Sequence, residues 1–134
     1  MKNINDVAFI LQSRKGSTRV KNKMLRPFMD SCLFEIAINK ISSNIIPKEN
    51  FYVSVFDEEF IEIADKYGVN IYHRSEDSIV EPVELPVVLG WHKGLPKQYK
   101  YWVSVNGCNP ILSIETLDKF VKSFLESESN GMFG

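Results

Sequence analysis

Five consecutive apolar residues, Val7-Ala8-Phe9-Ile10-Leu11, stop at Gln12 and give way to a stretch, residues 12–26, that carries Arg14, Lys15, Arg19, Lys21, Lys23 and Arg26 with no acid among them. An apolar run without alternation is the pattern of a strand buried on both faces, not of one with a wet side. Such a strand needs a layer above it and a layer below, so the chain is expected to build a central parallel strand inside a layered α/β fold. The later sequence agrees. Leu33, Phe34, Ala37, Ile38 and Ile41 recur at helical spacing behind Asp30 and Ser31, either of which can cap the helix, and that helix is expected to end near Asn44. Phe51-Tyr52-Val53-Ser54-Val55-Phe56 reads as a strand, Asp57 as the cap of a helix with Phe60, Ile61, Ala64 and Tyr67 on one face, and Gly68 as its stop. Residues 69–72 predict the next strand, Tyr101 to Asn106 another, and Ser113 caps a last helix with Leu117, Phe120, Val121, Phe124 and Leu125 at matching spacing. Between them, Arg74 to Pro86 is acidic and interrupted by Pro82 and Pro86, leading into a short helix over 87–93. Strands alternating with helices imply right-handed crossovers, a mostly parallel sheet and helices on both faces, a three-layer α/β/α Rossmann-like architecture.

Size and composition bound the rest. The 134 residues, 44% hydrophobic and 12% aromatic, suit one soluble domain over 1–134. The longest early apolar run is too short for a secretory leader or a membrane span, which makes the cytoplasm the expected location. Cys32 and Cys108 lie far apart without ligand neighbours at metal spacing and read as reduced thiols. The net charge of −1 conceals an uneven distribution: the basic stretch is local and the remainder acidic. That favours a confined anion site over a broad basic face for nucleic acid.

In a sheet of this kind ligands bind beyond the carboxyl ends of the strands, which brings the basic stretch, the region after Phe56 and the segment Asn106 to Pro110 to one rim. The basic stretch has the makings of a polyphosphate cradle. Gly16 lets backbone approach a ligand closely, while Arg14 and Lys23 can neutralise oxyanions during phosphoryl or nucleotidyl transfer. A Walker A loop and a dinucleotide fingerprint are both excluded, because each needs further glycines that are not there. The plain alternative is a solvated basic loop. His73 and His92 lack a neighbouring nucleophile or ligand and read as loop or strand-end residues. Trp91 and Trp102 read as core or seam aromatics, and the acids from Glu76 to Glu84 as a solvated loop.

At these residues the chain resembles the cytidylyltransferases that activate acidic sugars, the CMP-N-acylneuraminate and CMP-KDO synthetases and the spore coat polysaccharide biosynthesis proteins. Arg14, then Ser17-Thr18-Arg19, then Lys23 nine positions beyond the Arg, are similar to the family signature, and Gln12-Ser13-Arg14 is similar to the KDO and spore-coat branches. Val53 to Val69, Arg74, and Val105-Asn106-Gly107-Cys108-Asn109-Pro110 resemble successive later parts of the family in the same order. The resemblance implies the nucleoside-diphospho-sugar transferase fold, with this chain equivalent to its N-terminal, nucleotide-binding part and the C-terminal part absent.

It further implies attack by a sugar's anomeric hydroxyl on the α-phosphate of CTP, with Mg2+ bridging the phosphates. Arg14 and Lys23 are then expected to hold the triphosphate, Gly16 and Ser17 to make close contacts, and Gln12 and Ser13 to lie beside the cytosine or ribose. Arg74 is expected to help fix the nucleotide, and Asn106 and Asn109 to meet the sugar. The resemblance leaves the metal ligands unassigned, since Cys108 and Asn109 stand where the KDO-type enzymes have an acidic ligand. Two other readings stay open: a homologue that binds nucleotide or sugar without catalysis, and a glycosyltransferase or other nucleotidyltransferase on the same fold. Self-association through an exposed sheet edge, as a homodimer, is also expected.

Overall fold

The computed structural model describes residues 2–13, 24–42, 45–75, 95–105 and 113–128. Along the chain come strand β1 (Val7–Gln12), the short strands β2 (Pro27–Phe28) and β3 (Ser31–Cys32), helix α1 (Leu33–Ser42), β4 (Phe51–Val55), α2 (Glu58–Tyr67), β5 (Asn70–His73), β6 (Tyr101–Ser104) and α3 (Ile114–Glu126). Four strands form a parallel sheet in the order β5-β4-β1-β6. β1 is an inner strand, hydrogen-bonded on both sides, and no residue from Val7 to Leu11 is more than 1% exposed. The unbroken apolar run has its reason there.

Register sorts the side chains onto two faces. Phe9 stands beside Phe51 and Val103, and Leu11 beside Val53, so these residues share a face. The three helices bury their apolar stripes on it, through Phe34 and Ile38 of α1, Phe60 and Ala64 of α2, and Val121 and Phe124 of α3. Phe34 and Phe60 meet edge to face with ring centres 4.7 Å apart, which locks α1 against α2. The opposite face carries Ala8, Ile10 and Tyr52, covered by Tyr99 and Leu95. Connectivity explains the division. The crossovers β1-α1-β4 and β4-α2-β5 step in one direction and, being right-handed, place both helices on one face. The described end of the return from β5 to β6, with Leu95 and Tyr99, lies on the far face. The helix expected over 87–93 lies outside the described residues, as does the acidic segment before it. Among the described residues no helix is long and apolar enough to cross a membrane.

Two capping expectations are corrected. Asp30 and Ser31 do not cap α1. They belong to a β2–β3 hairpin, Phe28 opposite Ser31, whose turn holds Met29 at a φ of 57°. Asp57 sits at the N-cap of α2, but its side chain makes no capping bond, and its carbonyl takes the N–H groups of Phe60 (3.1 Å) and Ile61 (3.2 Å). With Glu58 and Glu59 following, negative charge still lies at the positive end of the helix dipole. The other ends are as the sequence predicts. Gly68 takes the left-handed conformation that closes α2, and the Ser113 hydroxyl accepts from the Thr116 N–H at 3.1 Å.

Polar ties hold the ends of the sheet. The Lys2 N–H donates to the Leu125 carbonyl at 2.8 Å, and its ammonium donates to the carbonyls of Phe124 and Ser127 while lying over the rings of Phe124 and Tyr101. A cation there complements the negative end of the α3 dipole. Under the far face the hydroxyls of Tyr52 and Tyr99 are 2.9 Å apart, Tyr99 reaches the Asn50 side-chain oxygen, and the Asn50 amide donates to the Ile4 carbonyl at 3.1 Å.

Burial, and then the neighbouring Tyr52 hydroxyl, push the Tyr99 phenol pKa well above its ordinary value. Folding therefore favours the protonated phenol. Its contribution to stability should be complete below about pH 10, the ordinary tyrosine value, and be lost as the pH climbs through the raised one. Denaturant titrations at several pH values should show that alkaline loss in the unmodified chain and a shallower one in Tyr99→Phe. Ser113→Ala should lower unfolding free energy by about 1 kcal/mol, read as a shift in the urea midpoint without a change in slope.

Candidate functional site

All four strands of the sheet point the same way, so their carboxyl ends form one rim, and the strand order reverses between β1 and β6 on that rim. β1 ends at the half-buried Gln12, which pairs with Ser54 of β4. Ser13, 4% exposed, comes next and donates its N–H to the Ser54 carbonyl at 3.2 Å. β5 ends at His73 opposite Val55, and the Arg74 N–H that follows donates to the Val55 carbonyl at 2.8 Å. The Arg74 side chain then crosses the end of β4, and its Nη1 donates to the Ser13 carbonyl at 3.2 Å. Three strand ends are thereby joined through Arg74, by its main-chain N–H to β4 and its guanidinium to Ser13, and the residue as a whole is 8% exposed. A guanidinium stays charged at every accessible pH. Positive charge is therefore built into the rim at the root of the basic stretch.

The other root is also described. Met24, just beyond Lys23, is buried, and its carbonyl accepts from the Phe34 N–H at 3.1 Å. Met24 is thus tied to the first turn of α1, as Ser13 is to the end of β4. On the far side of β1, the Val105 N–H donates to the Ile10 carbonyl at 2.9 Å and carries the ladder one residue past β6 toward Asn106.

Of the residues expected in the site, Gln12, Ser13 and Arg74 stand together on the rim. Arg14, Gly16, Ser17, Lys23, Asn106 and Asn109 lie outside the described residues, as do Trp91, His92, Cys108 and the acids from Glu76 to Glu84. His73 is exposed at the end of β5. Trp102, 44% exposed, pairs with Ala8 in the amino-terminal half of the sheet, away from the rim. Cys32 is buried, with its Sγ 3.7 Å from a carboxylate oxygen of Glu35. Burial foremost, and that carboxylate, raise its thiol pKa, which suits an unreactive packing residue. Among the described residues no group of three or more His, Cys, Asp and Glu could hold a metal ion.

Ser54 was not among the expected residues. It is fully buried on the same face as Gln12, and neither its hydroxyl nor that of Ser13 has a hydrogen-bond partner among the described residues. The signal was a small polar side chain, a serine, inside the otherwise large and apolar run Phe51 to Val55. The link from Arg74 to Ser13 had no signal of its own, because it spans 61 positions.

Comparison with known proteins extends this geometry. A family model described as Cytidylyltransferase matches residues 8–133. The spore coat polysaccharide biosynthesis protein SpsF of Bacillus subtilis is 24% identical over 141 residues, covering 95% of this chain and 53% of that protein. Among solved structures, a cytidylyltransferase from Leptospira borgpetersenii superimposes with a TM-score of 0.70 at 25% identity, over 92% of this chain and 50% of that one. A CMP:2-keto-3-deoxy-manno-octonic acid synthetase complexed with CTP reaches the same TM-score at 11% identity, over 88% and 46%, a likeness of fold. The chain spans about half the length of these proteins. The α/β fold with a parallel sheet and flanking helices is the one expected from the residues.

A buried hydroxyl without a partner costs about 1–3 kcal/mol. Ser54→Ala should therefore be neutral or raise the melting temperature, and a clear drop in thermal denaturation would reveal a partner for that hydroxyl.

Proposed function

The chain belongs to the cytidylyltransferase family, and from that premise we propose that it binds CTP on the carboxyl rim and transfers CMP to an acidic sugar of the sialic acid or KDO type, in surface polysaccharide biosynthesis. The observation that carries the proposal is the buried Arg74 guanidinium on the Ser13 carbonyl, which sets a fixed positive charge where the basic stretch leaves β1. An anion with several charges is the ligand that such an arrangement attracts. The likeness to a synthetase whose crystals hold CTP supports the nucleotide, and the likeness to SpsF supports the polysaccharide role.

In the proposed reaction the oxygen of the sugar's anomeric hydroxyl attacks the α-phosphorus of CTP. A new P–O bond forms, the bond from the α-phosphorus to the bridging oxygen breaks, pyrophosphate leaves with that oxygen, and the hydroxyl proton passes to solvent. Arg14 and Lys23 hold the triphosphate and offset the charge that builds on its oxygens. Gly16 and Ser17 make close contacts to it, Gln12 and Ser13 lie beside the cytosine or ribose, and Asn106 and Asn109 meet the sugar. Mg2+ is the proposed cation, and since no described residues form a set that fits it, no step is assigned to it. Action in the cytoplasm as a homodimer completes the proposal.

A second reading, CTP binding without turnover, is favoured by Cys108 and Asn109 in place of an acidic residue. One experiment separates the two. Calorimetric titration with CTP, with and without magnesium, should give binding that Arg14→Ala/Lys23→Ala weakens by at least about tenfold, the scale of losing charge-assisted hydrogen bonds. Pyrophosphate release on adding KDO or sialic acid then identifies a transferase, and binding without release identifies the second reading. No binding of CTP by the unmodified chain would defeat both.

A further inference from the structure

We propose that Phe56 is the platform on which the base of the nucleotide stacks, and that it thereby helps to hold the nucleoside end of CTP. The inference rests on the proposed binding of CTP at the carboxyl rim and gives a part to a residue which that reading does not use. Exposure singles Phe56 out. Every residue of β4 from Phe51 to Val55 is buried, and the apolar run then continues one residue into solvent, where Phe56 is 39% exposed. Trp102 is the other exposed ring among the described residues, and it lies in the amino-terminal half of the sheet.

Register places Phe56 at the centre of the rim. The Arg74 N–H on the Val55 carbonyl carries the β4–β5 ladder one step past His73, and the Ser13 N–H on the Ser54 carbonyl carries the β1–β4 ladder one step past Gln12. Phe56 follows β4 at that point, with Arg74 on the β5 side and Ser13 on the β1 side. Gln12, expected beside the cytosine or ribose, stands one strand across and two residues back, about 8 Å away between Cα atoms at ordinary strand spacings. A base laid on Phe56 therefore lies among the rim residues already described. Among those residues no other ring stacks on Phe56. A flat base can take an aromatic face whatever its edge carries, so the ring supplies affinity and leaves discrimination to the polar groups around it.

The competing role is a hydrophobic staple. Phe56 directly precedes the Asp57 N-cap, and Ile61 occupies the position in α2 that a staple would meet. A staple needs apolar bulk, whereas a stack needs an aromatic face. The two roles can therefore be separated.

The test compares the full 134-residue chain with Phe56→Leu, Phe56→Tyr and Phe56→Ala by calorimetric titration of CTP and of inorganic tripolyphosphate. Phe56→Leu and Phe56→Ala should each weaken CTP binding by about tenfold, the scale of one lost base–aromatic stack. Phe56→Tyr should stay within about twofold for CTP, and all three variants within about twofold for tripolyphosphate, which has no base to stack. CTP affinity unchanged in Phe56→Leu would overturn the inference and leave the proposed function standing. Equal losses for CTP and tripolyphosphate would overturn it too, because they would show a displaced rim in place of a lost stack. Should Phe56→Ala fail to fold, Phe56→Leu, which keeps the bulk a staple needs, decides alone. Binding of another nucleoside triphosphate in place of CTP would correct the proposed nucleotide, and the same comparison with that nucleotide would decide on Phe56. No nucleoside triphosphate bound by the unmodified chain would defeat both readings.

Discussion

The fold depends on β1 being hydrogen-bonded along both edges and covered on both faces at once. A backbone sealed off in this way must satisfy every N–H and C=O within the sheet, and the ladders from Phe9 to Phe51 and from Val7 to Tyr101 do so. Once those ladders close, the pleat dictates that Phe9 and Leu11 face the helices while Ala8 and Ile10 face the return crossover. The two sides differ in bulk for that reason. Large rings fill the space beneath three helices, and a small alanine lies beneath Tyr99 and Leu95. The same strand end then supplies the rim, since the candidate site residues Gln12 and Ser13 stand where the ladder stops.

What could be read from the sequence was what depends on neighbours close along the chain. The buried run at β1, the stripes of α1, α2 and α3, the glycine stop at Gly68 and the Ser113 cap each follow from residues within a turn or two of one another. The start of α1 misled for a physical reason. Asp and Ser are favoured in turns by the same short side-chain hydrogen bonds that favour them as caps, so Asp30 and Ser31 suited both a helix start and the hairpin that the chain forms. The acceptance of a left-handed φ by Met29, a residue type that seldom adopts one, has no local signal at all.

The candidate site was legible in part. Gln12 and Ser13 were placed by the strand that precedes them, and Arg74 by the strand that precedes it, so their meeting on one rim follows from a parallel sheet. That Arg74 grips Ser13 does not follow, because side-chain reach across an intervening strand is a property of the assembled sheet. Ser54 shows the converse. Its hydroxyl was visible as an interruption, yet only the register, which pairs it with Gln12, gave the interruption a location.

The tie between Lys2 and the end of α3 bears on the order in which the protein can be finished. A ribosome makes Lys2 long before the carbonyls of Leu125 and Phe124 exist, so this contact forms only after nearly all of the described chain has been synthesised. Until then the amino-terminal edge of β1 and the ring of Tyr101 lack the helix that covers them. The corner of the sheet at Lys2 and Tyr101 is therefore the last to be covered, and it stays open to misassociation until α3 emerges.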